Sequence, residues 1–161
     1  MESLVLPNEI LLSEVKELLS EGHTVTLRAK GNSMFPFIRG GRDSVVLQKA
    51  GRVQTGDIVL ACLSGKRYVL HRIRSLNHEQ VVLMGDGNVR GMETCRPEDI
   101  AGKVLQIIRS GRYIDCSSPA ERRKVRIWQC LFPLRRYILA VYRRIHKYSP
   151  FSPSTQKAIC L

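Results

Sequence analysis

Cysteine is present in this chain but lacks any pairing pattern. The 161 residues include five cysteines, an odd number, and no C-x-x-C pair: Cys62, Cys95, Cys116, Cys130 and Cys160. Disulfide frameworks and tetrahedral metal sites both need closely patterned ligands, so neither is expected. The sequence therefore predicts a protein of a reducing compartment, with no metal and no cofactor.

Segments that address or anchor a protein to a membrane are also missing. Residues 1–22 carry five glutamates and one lysine, which is the wrong charge and polarity for a secretory leader. Spanning a bilayer as a helix takes about 20 apolar residues, and the apolar run at 137–142 is far shorter. We therefore expect no signal peptide, no transmembrane helix and a cytoplasmic location.

Acidic residues are nearly absent from the end of the chain. Residues 119–161 hold ten Lys or Arg against one acid, a net +9 of the total +12. Such a segment implies an anionic partner or a solvated helix face packed on the rest of the protein. Nucleic acid is not expected, because no helix-turn-helix, RNA-binding or zinc-finger signature is present.

The hydrophobic pattern predicts a mainly β protein flanked by helices. Residues 8–21 have the spacing of a short amphipathic helix that ends at Gly22. Short β-rich runs separated by glycine turns then follow at 24–29, 44–47, 57–63, 67–74, 80–84 and 103–108. Ser118-Pro119 opens a second helical region, which Pro133 should break or kink. The predicted units are a helix at 1–22, a partly closed antiparallel β-domain at 23–116, a basic amphipathic segment at 117–149 and a frayed tail at 150–161.

Three short segments supply residues for nucleophilic catalysis. They are Gly-Asn-Ser-Met-Phe-Pro at 31–36, Val-Leu-His-Arg-Ile at 69–73 and Leu-Met-Gly-Asp-Gly-Asn at 83–88. A hydroxyl attacks a carbonyl well when a base takes its proton and a third group orients that base. Ser33, His71 and Asp86 could fill these roles. Each alone is more often a turn serine, a strand histidine or a turn aspartate, and their order is what favours catalysis.

Together these segments resemble the signal peptidase family of serine peptidases and the broader group that includes the self-cleaving repressor-type peptidases. The resemblance covers about residues 25–108. It includes Gly-Arg-Asp at 41–43, Gly-Asp-Ile-Val at 56–59 and the run from Pro97 to Val104, which is similar to the family's closing strand. It implies a serine endopeptidase with a signal peptidase or LexA-like β-fold.

The resemblance also implies roles for individual residues. His followed by Arg is similar to the endoplasmic-reticulum and archaeal branch, which makes His71 the base. Imidazole is largely unprotonated at neutral pH, so this base needs none of the deep burial that a lysine requires. Asp86 would orient it, and Glu93 or Asp99 could substitute.

The remaining site residues are expected to bind substrate. The backbone N–H of Ser33, with Asn32, would stabilise the oxyanion, because Gly31 offers no side-chain donor. Met34 and Phe35 would line a shallow apolar groove for an extended peptide.

The basic segment suggests where such an enzyme would work. Residues 119–148 could lie on an anionic membrane, with Trp128, Leu131 and Phe132 inserted. Substrates would then be cytoplasmic peptides or precursors, such as the leader of a modified product.

Two alternatives to a peptidase acting on other proteins remain open. One is a non-catalytic peptide-binding or membrane-surface adaptor that keeps the fold. The other is a self-cleaving repressor-type switch, for which a lysine base and an attached DNA-binding domain would be expected.

Overall fold

The computed structural model describes residues 8–64 and 67–145, which form one curled β-sheet with three α-helices. The helices are α1 Asn8–Ser20, α2 Pro119–Cys130 and α3 Arg135–Ile145. The strands are β1 Val25–Arg28, β2 Ser44–Lys49, β3 Ile58–Leu63, β4 Arg67–Leu76, β5 Val81–Met84, β6 Glu93–Cys95, β7 Ile100–Arg109 and β8 Arg112–Asp115. Single 3-10 turns lie at Pro97–Asp99 and Phe132–Leu134.

All strand pairs of the sheet are antiparallel. The order is β1-β2-β7-β3-β4-β5-β6, and β8 pairs with β7 outside this path. Three pairings shift register, at Val46/Leu47, Leu60/Ala61 and Ile73/Ser75. Such bulges bend and twist strands, which is how a single sheet curls over its own core.

The two faces of the sheet bury separate apolar clusters. One cluster packs α1, through Leu12, Val15 and Leu19, against inward residues such as Leu60 and Leu70. The other lies on the opposite face and is built from odd-numbered positions of β3, β4 and β5, among them Val59, Val69, Ile73 and Leu83. Since successive strand residues point to opposite faces, neighbours on β4 enter different environments.

The expected fold class, mainly β with an N-terminal amphipathic helix and a basic C-terminal helical segment, is confirmed. The hydroxyl of Ser118 accepts a hydrogen bond from the Glu121 amide, and Pro119 is the first residue of α2. Pro133 lies in the 3-10 turn that separates α2 from α3. Two strands were not foreseen, β6 and β8, which are only three and four residues long.

Within the described residues, none of the helices has the length and apolarity needed to cross a membrane. The predicted tail at 150–161 and the end of the basic segment at 146–149 lie outside the described residues.

Candidate active site

The loop that carries Ser33 is held in place by a buried aspartate. Asp43 accepts hydrogen bonds from the Arg39 amide at 2.9 Å and from the Arg42 side chain at 2.7 and 2.9 Å. Arg109 approaches the same carboxylate at 3.4 Å. Burial alone would raise the pKa of Asp43, but these donors outweigh it, and the pKa lies below its ordinary value. The loop between β1 and β2 is thus fixed at its end by an ionised carboxylate.

Two glycines let this loop meet the turn after β5. The Gly87 amide donates to the Ser33 carbonyl at 2.8 Å. A Cβ on Gly85 would lie 2.3 Å from the Ser33 oxygen, and one on Gly87 would lie 2.6 Å from the Asn32 oxygen. Contacts below 3.0 Å do not occur for real side chains, so the two loops fit because both positions are glycine.

This contact places the Ser33 loop at the end of β5, the strand that pairs with the His71-bearing strand β4. Gly85 follows Met84, which is the strand partner of Arg72, the residue next to His71. The Ser33 hydroxyl oxygen and the His71 Nε2 are both buried, and neither has a hydrogen-bond partner in the part of the chain that the structure describes. Buried polar atoms are nearly always paired, so two unpaired atoms in one region single it out.

Glu93 is the acid beside His71. Its Oε2 lies 2.8 Å from Nδ1 of the ring, although the N–H does not point well enough at this oxygen to make a good hydrogen bond. The approach follows from register, because Ile73 and Glu93 both pair with Leu83, and His71 lies two residues from Ile73 on the same face.

The electrostatics of Glu93 keep its carboxylate ionised. Contact with His71 is the largest cause that lowers the pKa of Glu93, burial opposes it, and Arg67 at 2.5 Å adds to the lowering. An anionic partner on Nδ1 favours the tautomer with its proton there, which leaves Nε2 as the acceptor.

Asp86 is placed differently from the expected orienting role. Its carboxylate accepts hydrogen bonds from Nε of Arg72 at 2.9 and 3.0 Å and from Nη2 of Arg72 at 2.6 Å. Both residues are buried. Among the described residues, Asp86 has no ion pair with His71. The reason is alternation, because Arg72 follows His71 on β4 and points to the other face, where Asp86 lies.

Met34 and Phe35 are both buried, and their place at the floor of a shallow substrate groove stays a prediction. Met34 belongs to the cluster under α1. Phe35 packs with Trp128 and Leu139, and its ring lies edge-on to Tyr142 at 4.9 Å between centroids. The C-terminal helices therefore cover the outer side of the serine loop.

Trp128 faces inward, in agreement with the packed helix face that the sequence offered beside insertion into a membrane. Its indole N–H donates to the Asp86 carbonyl at 3.2 Å, and its ring lies edge-on to Phe37 at 6.2 Å. Phe132 is partly buried between the guanidinium groups of Arg74 and Arg135, at 4.2 and 5.0 Å from its centroid. The amphipathic pattern of α2 thus serves packing against the site.

Asn32 shapes the turn that presents Ser33. Its carbonyl accepts from the Phe35 amide at 3.1 Å. The proposed role of Asn32 at the oxyanion stays a prediction.

The residues that the structure describes include no group of three or more His, Cys, Asp or Glu arranged to hold a metal ion.

The curled antiparallel sheet with its flanking helices is consistent with the β-domain of S24-type peptidases. Residues 4–105 match the model of the Peptidase S24-like family, and since this is more than half of the chain, the protein belongs to that family. A LexA repressor from Petrotoga mobilis (strain DSM 10674 / SJ95) is 31% identical over 88 residues. The match covers 52% of this chain and 42% of that protein, so the chain spans less than half the length of this curated relative.

Proposed function

We propose that this protein is a serine endopeptidase in which Ser33 is the nucleophile, His71 the general base and Glu93 the residue that orients His71. The observation that carries the proposal is a buried histidine with an acid at one ring nitrogen and no partner at the other, beside a loop with an unpaired serine hydroxyl. The histidine base agrees with the branch of signal peptidases that the His71-Arg72 segment resembles. Membership of the Peptidase S24-like family supports hydrolysis of peptide bonds.

The proposed chemistry divides hydrolysis into two steps. Nε2 of His71 takes the proton of the Ser33 hydroxyl while the oxygen attacks the scissile carbonyl, and the same proton then passes to the leaving amine. Water next attacks the acyl-serine, again with His71 as base, and releases the acid. Glu93 remains ionised throughout and stabilises the imidazolium in both steps.

Backbone amides would stabilise the negative oxygen of each tetrahedral intermediate. The turn that holds Ser33 is fixed by Asp43 on one side and by Gly87 on the other, so its N–H groups are preorganised. Fixed donors of this kind are among the largest contributions to catalysis because they need no reorganisation during the reaction.

The test is cleavage of a diverse peptide library by the full chain, together with labelling by a fluorophosphonate. Ser33→Ala and His71→Ala should each abolish both signals, whereas the exposed controls Ser75→Ala and His78→Ala should retain them. If wild type and all four variants neither cleave nor label, and the intact mass also stays unchanged on incubation, the protein is the non-catalytic adaptor. If the Ser33→Ala variant still cleaves, the assignment of the nucleophile is wrong.

Similarity to a LexA repressor favours a second candidate, in which the bond cleaved belongs to the chain itself. Intact mass after incubation separates the two. Self-cleavage yields two fragments at a rate that does not depend on protein concentration and that Ser33→Ala abolishes. An enzyme acting only on other peptides keeps its intact mass while it consumes the library.

A further inference from the structure

Four large apolar side chains remain exposed in one row that begins just before α3. Leu134, Tyr137, Val141 and Ile145 are 53%, 61%, 57% and 71% exposed. Spacings of three, four and four residues place them on one helix face. We call this row the outer stripe.

The outer stripe is not the face by which α3 packs on the protein. That face is formed by Arg135 and Leu139, both of which are buried, and by the partly buried Ile138. The apolar side of α3 is therefore wider than the surface that covers it. Scattered apolar residues are normal on a protein surface, whereas a continuous row on one helix indicates a binding face.

Arginines without acidic partners are also exposed on α2 and α3, and Arg144 lies next to the outer stripe. Among the residues that the structure describes, no carboxylate pairs with a group of exposed side chains comprising Arg123, Arg126, Arg136, Arg143 and Arg144. Nearby cations behave differently, because Arg122 pairs with Asp57 and Lys124 with Glu121. The uncompensated charge belongs to the outer side of α2 and α3 and calls for an anionic surface opposite it.

We propose that the outer stripe and its arginines dock on an anionic lipid bilayer. The apolar side chains would enter the boundary between headgroups and acyl chains, and the arginines would lie among the lipid phosphates. This surface differs from the one expected from the sequence, because Trp128 and Phe132 are engaged inside the protein and the outer stripe takes their place.

Charge and shape favour a bilayer over other occupants. A symmetric pairing of two copies through this face would bring the arginines of one copy against those of the other. A nucleic acid would pair with the arginines but leave the apolar row in water. A bilayer with acidic headgroups would bury the apolar row and neutralise the arginines at the same time.

The test is flotation of the full chain with vesicles of phosphatidylcholine alone or mixed with phosphatidylglycerol. Wild type should float with the mixed vesicles only. Tyr137→Ser should weaken binding, whereas Tyr113→Ser, a tyrosine that is 67% exposed on β8, should not. The double variant Arg143→Glu/Arg144→Glu should weaken binding about tenfold or more, since each basic residue near an anionic surface contributes roughly 1 kcal/mol.

A second double variant, Arg52→Glu/Arg112→Glu, makes the same change in net charge at exposed residues outside α2 and α3 and should bind as wild type does. Equal losses in both double variants would overturn the proposal, as would failure of wild type to float. A dimer in light scattering that Tyr137→Ser dissociates, without vesicle binding, would assign the face to a second copy instead. Unchanged emission of Trp128, the single tryptophan, checks that each variant is folded.

Discussion

The two acids near His71 should respond differently to loss of charge. Asp86 is the partner of the buried Arg72, with three short contacts to one guanidinium. Asp86→Asn would leave that cation buried without a counter-charge, which typically costs about 3–5 kcal/mol in the free energy of unfolding. For a chain of this length the melting temperature should fall on the order of 10 °C.

Glu93→Gln should affect catalysis more than stability. Glu93 is partly exposed and its loss leaves no buried cation alone, because Arg67 is half exposed and His71 can remain neutral. If Glu93 orients the base, kcat should fall roughly 100-fold or more while the melting temperature changes little.

The assay combines thermal unfolding, followed by circular dichroism, with kcat and KM on a peptide cleaved by wild type. The double variant Arg72→Met/Asp86→Leu is the matched control, since replacing both partners should recover much of the stability that Asp86→Asn loses. The reasoning is refuted if Asp86→Asn melts within about a degree of wild type yet lowers kcat as much as Glu93→Gln is expected to, because Asp86 would then be the orienting acid.

Three further predictions concern the surroundings of the site. Gly85→Ala places a methyl group against the Ser33 carbonyl, so we expect loss of cleavage with a lower melting temperature, measured on the same sample. Trp128→Phe keeps the aromatic packing but removes the donor to the Asp86 carbonyl, which should cost about 1 kcal/mol in urea unfolding; no change would show that this bond contributes nothing. The pKa of Asp43 is lower in the folded protein than in the unfolded chain. The stability that this carboxylate contributes is therefore fully present at pH values above the pKa of the unfolded chain, and it is lost as the pH falls towards the pKa of the folded protein. Asp43→Asn should therefore flatten the decline of stability below about pH 5, and an unchanged slope would contradict this.

Local chemistry made some of the structure predictable. Ser118, Pro119 and Glu121 form a helix start that depends on neighbours in sequence alone, so the start of α2 was found. Strands β6 and β8 were missed because three or four residues carry too little alternation, and their pairing partners lie far along the chain.

The candidate site shows the same division between local and long-range information. Sequence placed a serine, a histidine and acids in order, but which acid meets His71 depends on the register of β5 with both β4 and β6. Glu93 could be named only as a substitute, since nothing local distinguishes it from Asp86. For Trp128 the sequence left open packing on the protein and insertion into a membrane, because an amphipathic period does not tell which apolar face packs on the protein.

The link between Trp128 and Asp86 has a consequence for where this domain ends. The family match stops at residue 105, but the turn beside Ser33 is held from the C-terminal side by the indole at 128, and Phe35 is covered by α3. A chain shortened to the shared segment would lose β8 and expose Phe35 to water. The boundary of family resemblance and the boundary of the folded unit are thus different places in this protein, and shortened versions should retain residues through at least α3.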